Sequence, residues 1–340
     1  MSSTARRKPP TLEEVATRAG VGRGTASRVI NGSEQVSEAS RVAVLQAIDD
    51  LGYVPNRAAR SLVTRLTDVI ALVVSESEER LFGEPFFGQI VRGVSGALAG
   101  SQRQLLLTMA HRAHDRGRLD NYLSRQHVDG VLLLSLHGDD PLPSQLVARG
   151  VPAVLGGRPS EATGLPFVDM DNAGGAGQAV AHLGRTGRRR IATITGPQDM
   201  TAGLHRLEGY RTALLAAGLP IDEALVAAGD FSEQSGREAM TTLLQRVPDL
   251  DAVFAASDPM AIGALAALSA AGRRVPDDVA VVGFDDSPSS RHITPMLTTV
   301  HQPVEAMGAE MMKLLSMLID TGEPQQNVIL QTHLVVRDSG

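Results

Sequence analysis

Strand-length apolar runs return along this chain with helical patterns between them: "VIALVVS" at 69–75, "QLLLTMA" at 104–110, "VDGVLLLSL" at 128–136, "VPAVLGG" at 151–157, "RRIATITG" at 189–196, "DAVFAAS" at 251–257 and "VAVVGFDD" at 279–286. Runs that are apolar at consecutive positions suit strands buried on both faces. The helices between them supply the crossovers that parallel strands need, so residues 66–340 read as α/β, with helices on both faces of parallel sheet. Seven or more such units exceed what one compact sheet usually takes, which predicts two similar halves, with a last strand at "HLVVRD", 333–338.

The first 65 residues are different. "TLEEVATRAG" spaces Leu12, Val15, Ala16 and Ala19 as one face of a helix, with Thr11 and Glu14 in a capping-box pattern. A turn through Gly20 and Gly22 leads to a second helix at about 23–31, with Ala26, Val29 and Ile30 inward and Arg23, Gly24, Thr25, Ser27 and Arg28 outward. In "VSEASRVAVLQAIDDLG", Ser37 caps a third helix, Val42, Leu45 and Ile48 form its expected stripe and Gly52 stops it. Three short helices with a glycine-containing turn between the first two make a helix-turn-helix, whose second helix normally enters the DNA major groove. Arginines and hydroxyls of different lengths on one face suit base and phosphate contacts. "YVPNRAARSLVTR" then offers Pro55 and Asn56 as start signals and Ala58, Ala59 and Leu62 as a small apolar face. A helix of that length is marginal in water alone and orders only against a partner; an ordinary linker is the other reading of this stretch.

Charge separates the same two parts. Residues 1–65 hold ten Arg and Lys against six Asp and Glu, and the remainder 22 against 32, within a net −6 overall. A basic head on an acidic body predicts that the head meets a polyanion. No apolar run approaches the roughly 18 residues of a membrane span, and no apolar stretch follows the basic "MSSTARRKPP", so a cytoplasmic protein is expected. The absence of cysteine removes disulfides, thiolate metal sites and thiol catalysis. "DNAGGAGQAV" lacks the third glycine of a dinucleotide loop, and neither H-E-x-x-H nor G-x-S-x-G occurs. No enzyme activity, cofactor or metal is expected. "AMGAEMMKLLSML" carries a methionine-rich helical face of the kind found in cores and subunit interfaces.

The stretch "TLEEVATRAGVGRGTASRVINGSEQVSEASRVAVLQAIDDLGYVPNRAARSL", residues 11–62, strongly resembles the DNA-binding head and hinge of the LacI/GalR transcription regulators. "RLEGYRTAL", "VFAASDPMAIGAL", "VPDDVAVVGFDDS" and "PMLTTVHQP" resemble the family's effector domain, which has the type I periplasmic-binding-protein fold. The resemblance implies a helix-turn-helix domain at 1–54, a hinge helix and linker at 55–67 and an effector and dimerisation domain at 68–340. Its subdomains would be 68–167 plus 300–327 and 168–299 plus 328–340. It assigns DNA contact to Thr11, Leu12, Arg23, Gly24, Thr25, Ser27, Arg28, Asn31 and Arg57, and minor-groove entry to Ala59 and Leu62. Effector contact falls on Phe86, Phe87, Arg158, Arg206, Phe231, Ser257, Asp285 and Gln302, with Arg206 and Asp285 suited to sugar hydroxyls and Phe231 to a sugar face.

Two departures stand out. Gly22 and Gly24 replace a hydroxyl and a longer polar residue, shifting base readout onto Arg23 and Arg28. Gly157 stands where sugar-binding relatives often have an acid. The partners implied are a palindromic DNA operator, a small sugar and a second copy of the chain, since no leucine-heptad tail follows the last strand. "PTLEEVATRAGVGRGTASRVING", "LVVSESEERLFGEPFF" and "HVDGVLLLSLHGDDPLP" are most similar to the cellobiose-responsive repressors of actinobacteria, which makes cellobiose or another cello-oligosaccharide the expected effector. A xylo-oligosaccharide, a monosaccharide and a corepressor remain open on the residues alone, and a transport-type sugar-binding protein is a remote rival.

Overall fold

The structure, a computed structural model, describes residues 10–30, 33, 35–54, 66–110, 119, 122–323 and 325–340. The chain divides into two units after Thr67.

The first unit holds α1 (Leu12–Arg18), α2 (Arg23–Ile30) and α3 (Glu38–Leu51). Thr11 caps α1 as the spacing predicts: its hydroxyl accepts from the Glu14 N–H at 3.3 Å, and its own N–H donates to the Glu14 carboxylate at 2.8 Å. Val15, Ala16, Ala26, Val29, Val44 and Ala47 fill the core, and Arg18 of α1 ties to Asp50 of α3 at 2.8 Å. The expected α3 stripe is corrected. Val42 and Leu45 are 57% and 53% exposed, and the buried line runs through Val44 and Ala47. Positions 44, 47, 48 and 51 satisfy helical spacing as well as 42, 45 and 48 do, and the placement of α1 and α2 decides between them.

The second unit comprises two six-stranded sheets, as the repeated strand–helix pattern predicts. In the first, β1 (Val69–Val74), β2 (Gln104–Met109), β3 (Gly130–Leu134), β4 (Ala153–Gly156), β5 (Phe167–Met170) and β11 (Val328–Leu330) lie in the order β11-β5-β4-β3-β1-β2. In the second, β6 (Ile191–Thr195), β7 (Val226–Ala228), β8 (Ala252–Ala255), β9 (Ala280–Asp285), β10 (Thr298–His301) and β12 (His333–Val335) lie in the order β12-β10-β9-β8-β6-β7. All pairings are parallel except β10 with β12. Around the first sheet pack α4 (Glu78–Gly83), α5 (Pro85–Leu98), α6 (Leu142–Ala148) and α11 (Val304–Thr321). Around the second pack α7 (Asn172–Arg185), α8 (Thr201–Ala216), α9 (Glu233–Arg246) and α10 (Asp258–Ala270). Each sheet carries a separate buried cluster on each face.

The chain passes between the halves three times: from β5 to α7, from β10 to α11 and from β11 to β12. These crossings correct the subdomain limits expected at 167/168, 299/300 and 327/328. Val168 pairs with Val328 and Leu330 with Met170, so β5 and β11 stay whole within the first sheet. Strand pairing, not sequence likeness, sets where the chain changes halves.

"DNAGGAGQAV" is the capped start of α7 packed on the second sheet: Asp171 accepts from the Gly174 N–H, and a Cβ on Gly175 would stand 2.9 Å from the Phe284 ring. Met307, Met311 and Met312 of the methionine-rich helix are buried in the first half. Among the described residues no helix is long and apolar enough to cross a membrane, and no cluster of His, Asp and Glu could hold a metal ion.

Candidate functional site

Ligands of open α/β sheets bind outside the carboxyl ends of the strands. Such ends from both halves meet here around a cavity of about 610 Å³, lined from β3 by Leu134 and Ser135, from β5 by Asp169 and Met170, and from the second half by Phe231, Asp285 and Gln302. That size lies within the usual range for small-molecule sites, roughly 300–1,000 Å³.

At its centre Arg206 of α8 is 6% exposed. Its Nε donates to Asn172 Oδ1 at 2.8 Å, one Nη to the Ala256 carbonyl at 2.6 Å and the other to Gln302 Oε1 at 3.3 Å. A guanidinium has more N–H groups than these contacts consume. The Gln302 amide in turn donates to Asp285 Oδ1 at 2.6 Å, which lies 3.8 Å from Arg206. The guanidinium also stacks 3.8 Å from the centre of the Phe284 ring and 5.5 Å from that of Phe231. Asn172 starts α7 just past one crossing and Gln302 lies in another, while at the third the Thr332 hydroxyl donates to the Asp171 carbonyl at 3.0 Å. The cluster that faces the cavity is therefore bonded to the segments about which the halves would turn.

Backbone geometry is unusual at the same place. Phe231, Asp285 and Asp286 have φ of 74°, 128° and 53°, a region that costs non-glycine residues of order 1–3 kcal/mol each and persists where the surroundings hold it. Gly196 makes room for Phe231, since a Cβ there would lie 2.3 Å from its ring. Asp286, though buried, is held below the usual carboxylate range by hydrogen bonds from Arg337, Arg291 and His301.

Behind Asp285 sits Asp258, the first residue of α10. It accepts from the Thr299 hydroxyl and the Ser287 N–H, and its own N–H donates to Asp285 at 3.3 Å. Burial pushes both carboxyls up; the Asp285 charge raises Asp258 further, while Arg206 pulls Asp285 back down. Folded-state values above the unfolded ones mean that the native protein holds protons the unfolded chain releases. Their stabilising effect is complete below the ordinary carboxylate range and disappears as pH rises through the raised values. Asp258→Asn should therefore lose less melting temperature than the wild type between pH 5 and pH 8. Equal losses in thermal denaturation would refute a raised pair.

Of the expected effector residues, Arg206, Asp285, Gln302, Phe231 and Arg158 line the cavity together with Phe86 and the buried Phe87. Arg158 is exposed and lies 5.7 Å from the Phe167 ring centre. Ser257 is not among them. It is 3% exposed and caps α10, accepting from the Met260 N–H at 3.3 Å and donating to the Phe231 carbonyl at 3.2 Å. A helix-capping site just after a strand takes a short hydroxyl inward, so Ser257 supports the backbone of Phe231 instead. Asn172 and Asp169 escaped the sequence reading because a strand end and a helix start look alike whether or not they face a cavity. The polar trio "DMDN" was the available signal.

In the helix-turn-helix unit, α2 exposes Arg23, Gly24 and Arg28, with Thr25 and Ser27 half-buried. Arg23 pairs with Glu13 at 2.9 Å. A Cβ on Gly24 would meet only the Arg28 guanidinium at 3.9 Å, so nothing inside the unit demands glycine there. The Thr11 hydroxyl is engaged in its cap and Leu12 packs against the core. Asn31, Arg57, Ala59 and Leu62 lie outside the described residues, as does the expected hinge helix.

Comparison with known proteins matches residues 11–56 to the family "bacterial regulatory proteins, lacI family" and residues 180–340 to a periplasmic binding protein-like domain. The HTH-type transcriptional regulator CelR of Thermobifida fusca is 59% identical over 342 residues, covering 98% of this chain and 99% of that protein. A solved CelR–cellobiose complex aligns with TM-score 0.79 and 56% identity over 97% of this chain and 100% of the other. The lac repressor dimer bound to operator and the anti-inducer ONPF aligns with TM-score 0.86 and 28% identity over 98% and 99% of the two chains.

Proposed function

Because this chain belongs to the lacI family of bacterial regulatory proteins, we propose that it is a transcriptional repressor of sugar-utilisation genes, released from a palindromic operator by cellobiose or another cello-oligosaccharide. The observation that carries the effector is the buried Arg206–Asn172–Gln302–Asp285 cluster, placed on a cavity and bonded to two crossings between the halves. The similar protein solved with cellobiose supports the choice of sugar. It works in the cytoplasm, where its DNA is, and as a homodimer, as the lac repressor sits on its operator.

Each residue has a physical task. Arg206 donates to sugar hydroxyls, and Asp285 accepts from them. Phe231 offers an apolar face to a pyranose ring. Arg23 and Arg28 read or anchor in the major groove, with Thr25 and Ser27 beside them, and Gly24 leaves space that only an outside partner would fill. The likeness to the lacI regulators assigns a phosphate-side contact to Asn31, DNA contact to Arg57 and minor-groove entry to Ala59 and Leu62, all outside the described residues. Sugar binding changes the angle between the halves. A sugar that binds one arrangement of the halves more tightly shifts the population toward it by that difference in affinity.

Anisotropy of a labelled operator titrated with mono- and disaccharides tests partner, effector and sign together. Cellobiose should weaken binding and act at lower concentration than xylobiose or glucose. Tightening by every active sugar would make it a corepressor, and no DNA binding at low salt would favour a transport-type binding protein.

A further inference from the structure

At the rim of the cavity one imidazole spans the two halves. His137 follows β3 in the first half; its Nε2 lies 3.1 Å from Glu76 Oε1, after β1 of the same half, and its Nδ1 lies 3.0 Å from Asp199 Oδ2, after β6 of the second. Beside it the Gly138 N–H donates to the Asp199 carbonyl at 2.8 Å, and Gly138 and Asp199 both line the cavity. A neutral imidazole has one N–H and one lone pair, whereas two ionised carboxylates offer only acceptors. Only the imidazolium, with both nitrogens donating, satisfies this arrangement.

We infer that His137 is a positioning residue for the effector, a clasp whose protonation holds the cleft closed. The inference rests on the reading of this cavity as the sugar site.

The surrounding charges favour the proton. Glu76 also takes Arg80 of α4 at 2.8 Å, and Arg80 takes Glu84 at 2.8 Å. Asp139 and Asp140 lie on the loop of His137 itself, with Asp140 accepting from Ser75 at 3.5 Å, and Asp230 of the second half acts on Arg80. Among the described residues, acids thus outnumber bases around the ring. The hydrogen bond to Glu76 leads in raising the His137 pKa above the ordinary histidine value; burial opposes it and Asp199 adds to it. Opening the cleft removes Asp199 and that part of the rise. The closed form is therefore favoured below the open form's value, which Glu76 already raises, and the advantage disappears as pH rises through the higher value of the closed form. Effector affinity should follow the same direction, because a ligand held by both halves binds the closed form.

The chain has no cysteine, so spin labels can be placed at A148C and Q234C, both exposed and on opposite halves. Without sugar, the shorter-distance population should grow between pH 8 and pH 6 in otherwise wild-type protein and stay constant with H137Q, whose amide is polar but does not titrate. Calorimetry should find the preference of cellobiose for pH 6 over pH 8 severalfold greater in wild type than in H137Q, the dependence common to both belonging to the buried Asp258–Asp285 pair. Distances that ignore pH, or that shift in H137Q as in wild type, overturn the clasp. Failure of cellobiose to bind at either pH would overturn the effector reading, and the sugar-free distances would still decide the clasp.

Discussion

Arg206→Lys should need roughly a hundredfold more cellobiose than wild type to release operator, with operator affinity unchanged in the absence of sugar; losing two charge-assisted hydrogen bonds at about 1.5 kcal/mol each, the low end of their usual range, accounts for an effect of this size. Lysine keeps the charge opposite Asp285 but cannot hold Asn172, the Ala256 carbonyl and Gln302 at once, as the planar guanidinium does. It therefore loses the direct contacts to sugar. Arg206→Ala is the less informative variant. It leaves Asp285 facing no cation in a buried site, at a cost of about 3–5 kcal/mol for breaking a buried pair. Operator anisotropy across a cellobiose titration, with a melting curve as a control for folding, decides the matter. A lysine variant released at the wild-type sugar concentration would remove Arg206 from the site.

Gly263→Ala should lower the melting temperature by roughly 2–10 °C, from an overpacking cost of about 1–3 kcal/mol. A Cβ at Gly263 in α10 would stand 2.0 Å from the Glu233 carbonyl oxygen and 2.7 Å from the Arg237 nitrogen of α9. Across the same contact a Cβ at Gly236 would stand 2.2 Å from the Met260 carbonyl oxygen. These obstacles are backbone, which no side-chain rotation can move, so the helices must separate and give up the contacts on either side. Gly177→Ala is the control. It is also inside a helix, but its Cβ would find only the Gly209 carbonyl at 3.9 Å, and alanine's better helix propensity should leave stability unchanged or improve it by up to about 1 kcal/mol. Similar melting temperatures for the two variants would refute the close approach of α9 and α10.

Both glycines belong to segments the sequence already marks as helical, yet nothing in "EQSGREAM" or "DPMAIGAL" distinguishes a glycine that admits a neighbouring backbone from one that faces water. The same limit explains α3, where two helical stripes were available and the neighbouring helices selected Val44 and Ala47 over Val42 and Leu45. It also explains Ser257, whose hydroxyl turned inward to a cap.

The sequence by itself determined the local and repetitive features: the capped α1, the alternation of buried strands and helices, and the division into a basic head and an acidic body. Its likeness to the lacI regulators singled out Arg206, Asp285 and Gln302 among many polar residues. These are properties of neighbours in the chain or of matched motifs. The tertiary structure alone decided which strands share a sheet, where the three crossings fall, and that Asn172 and Gln302 meet on Arg206 while His137 meets Asp199. Those pairs are separated by 34, 96 and 62 positions. Their contact depends on which strands share a sheet and where the chain passes between the halves, which no local pattern encodes.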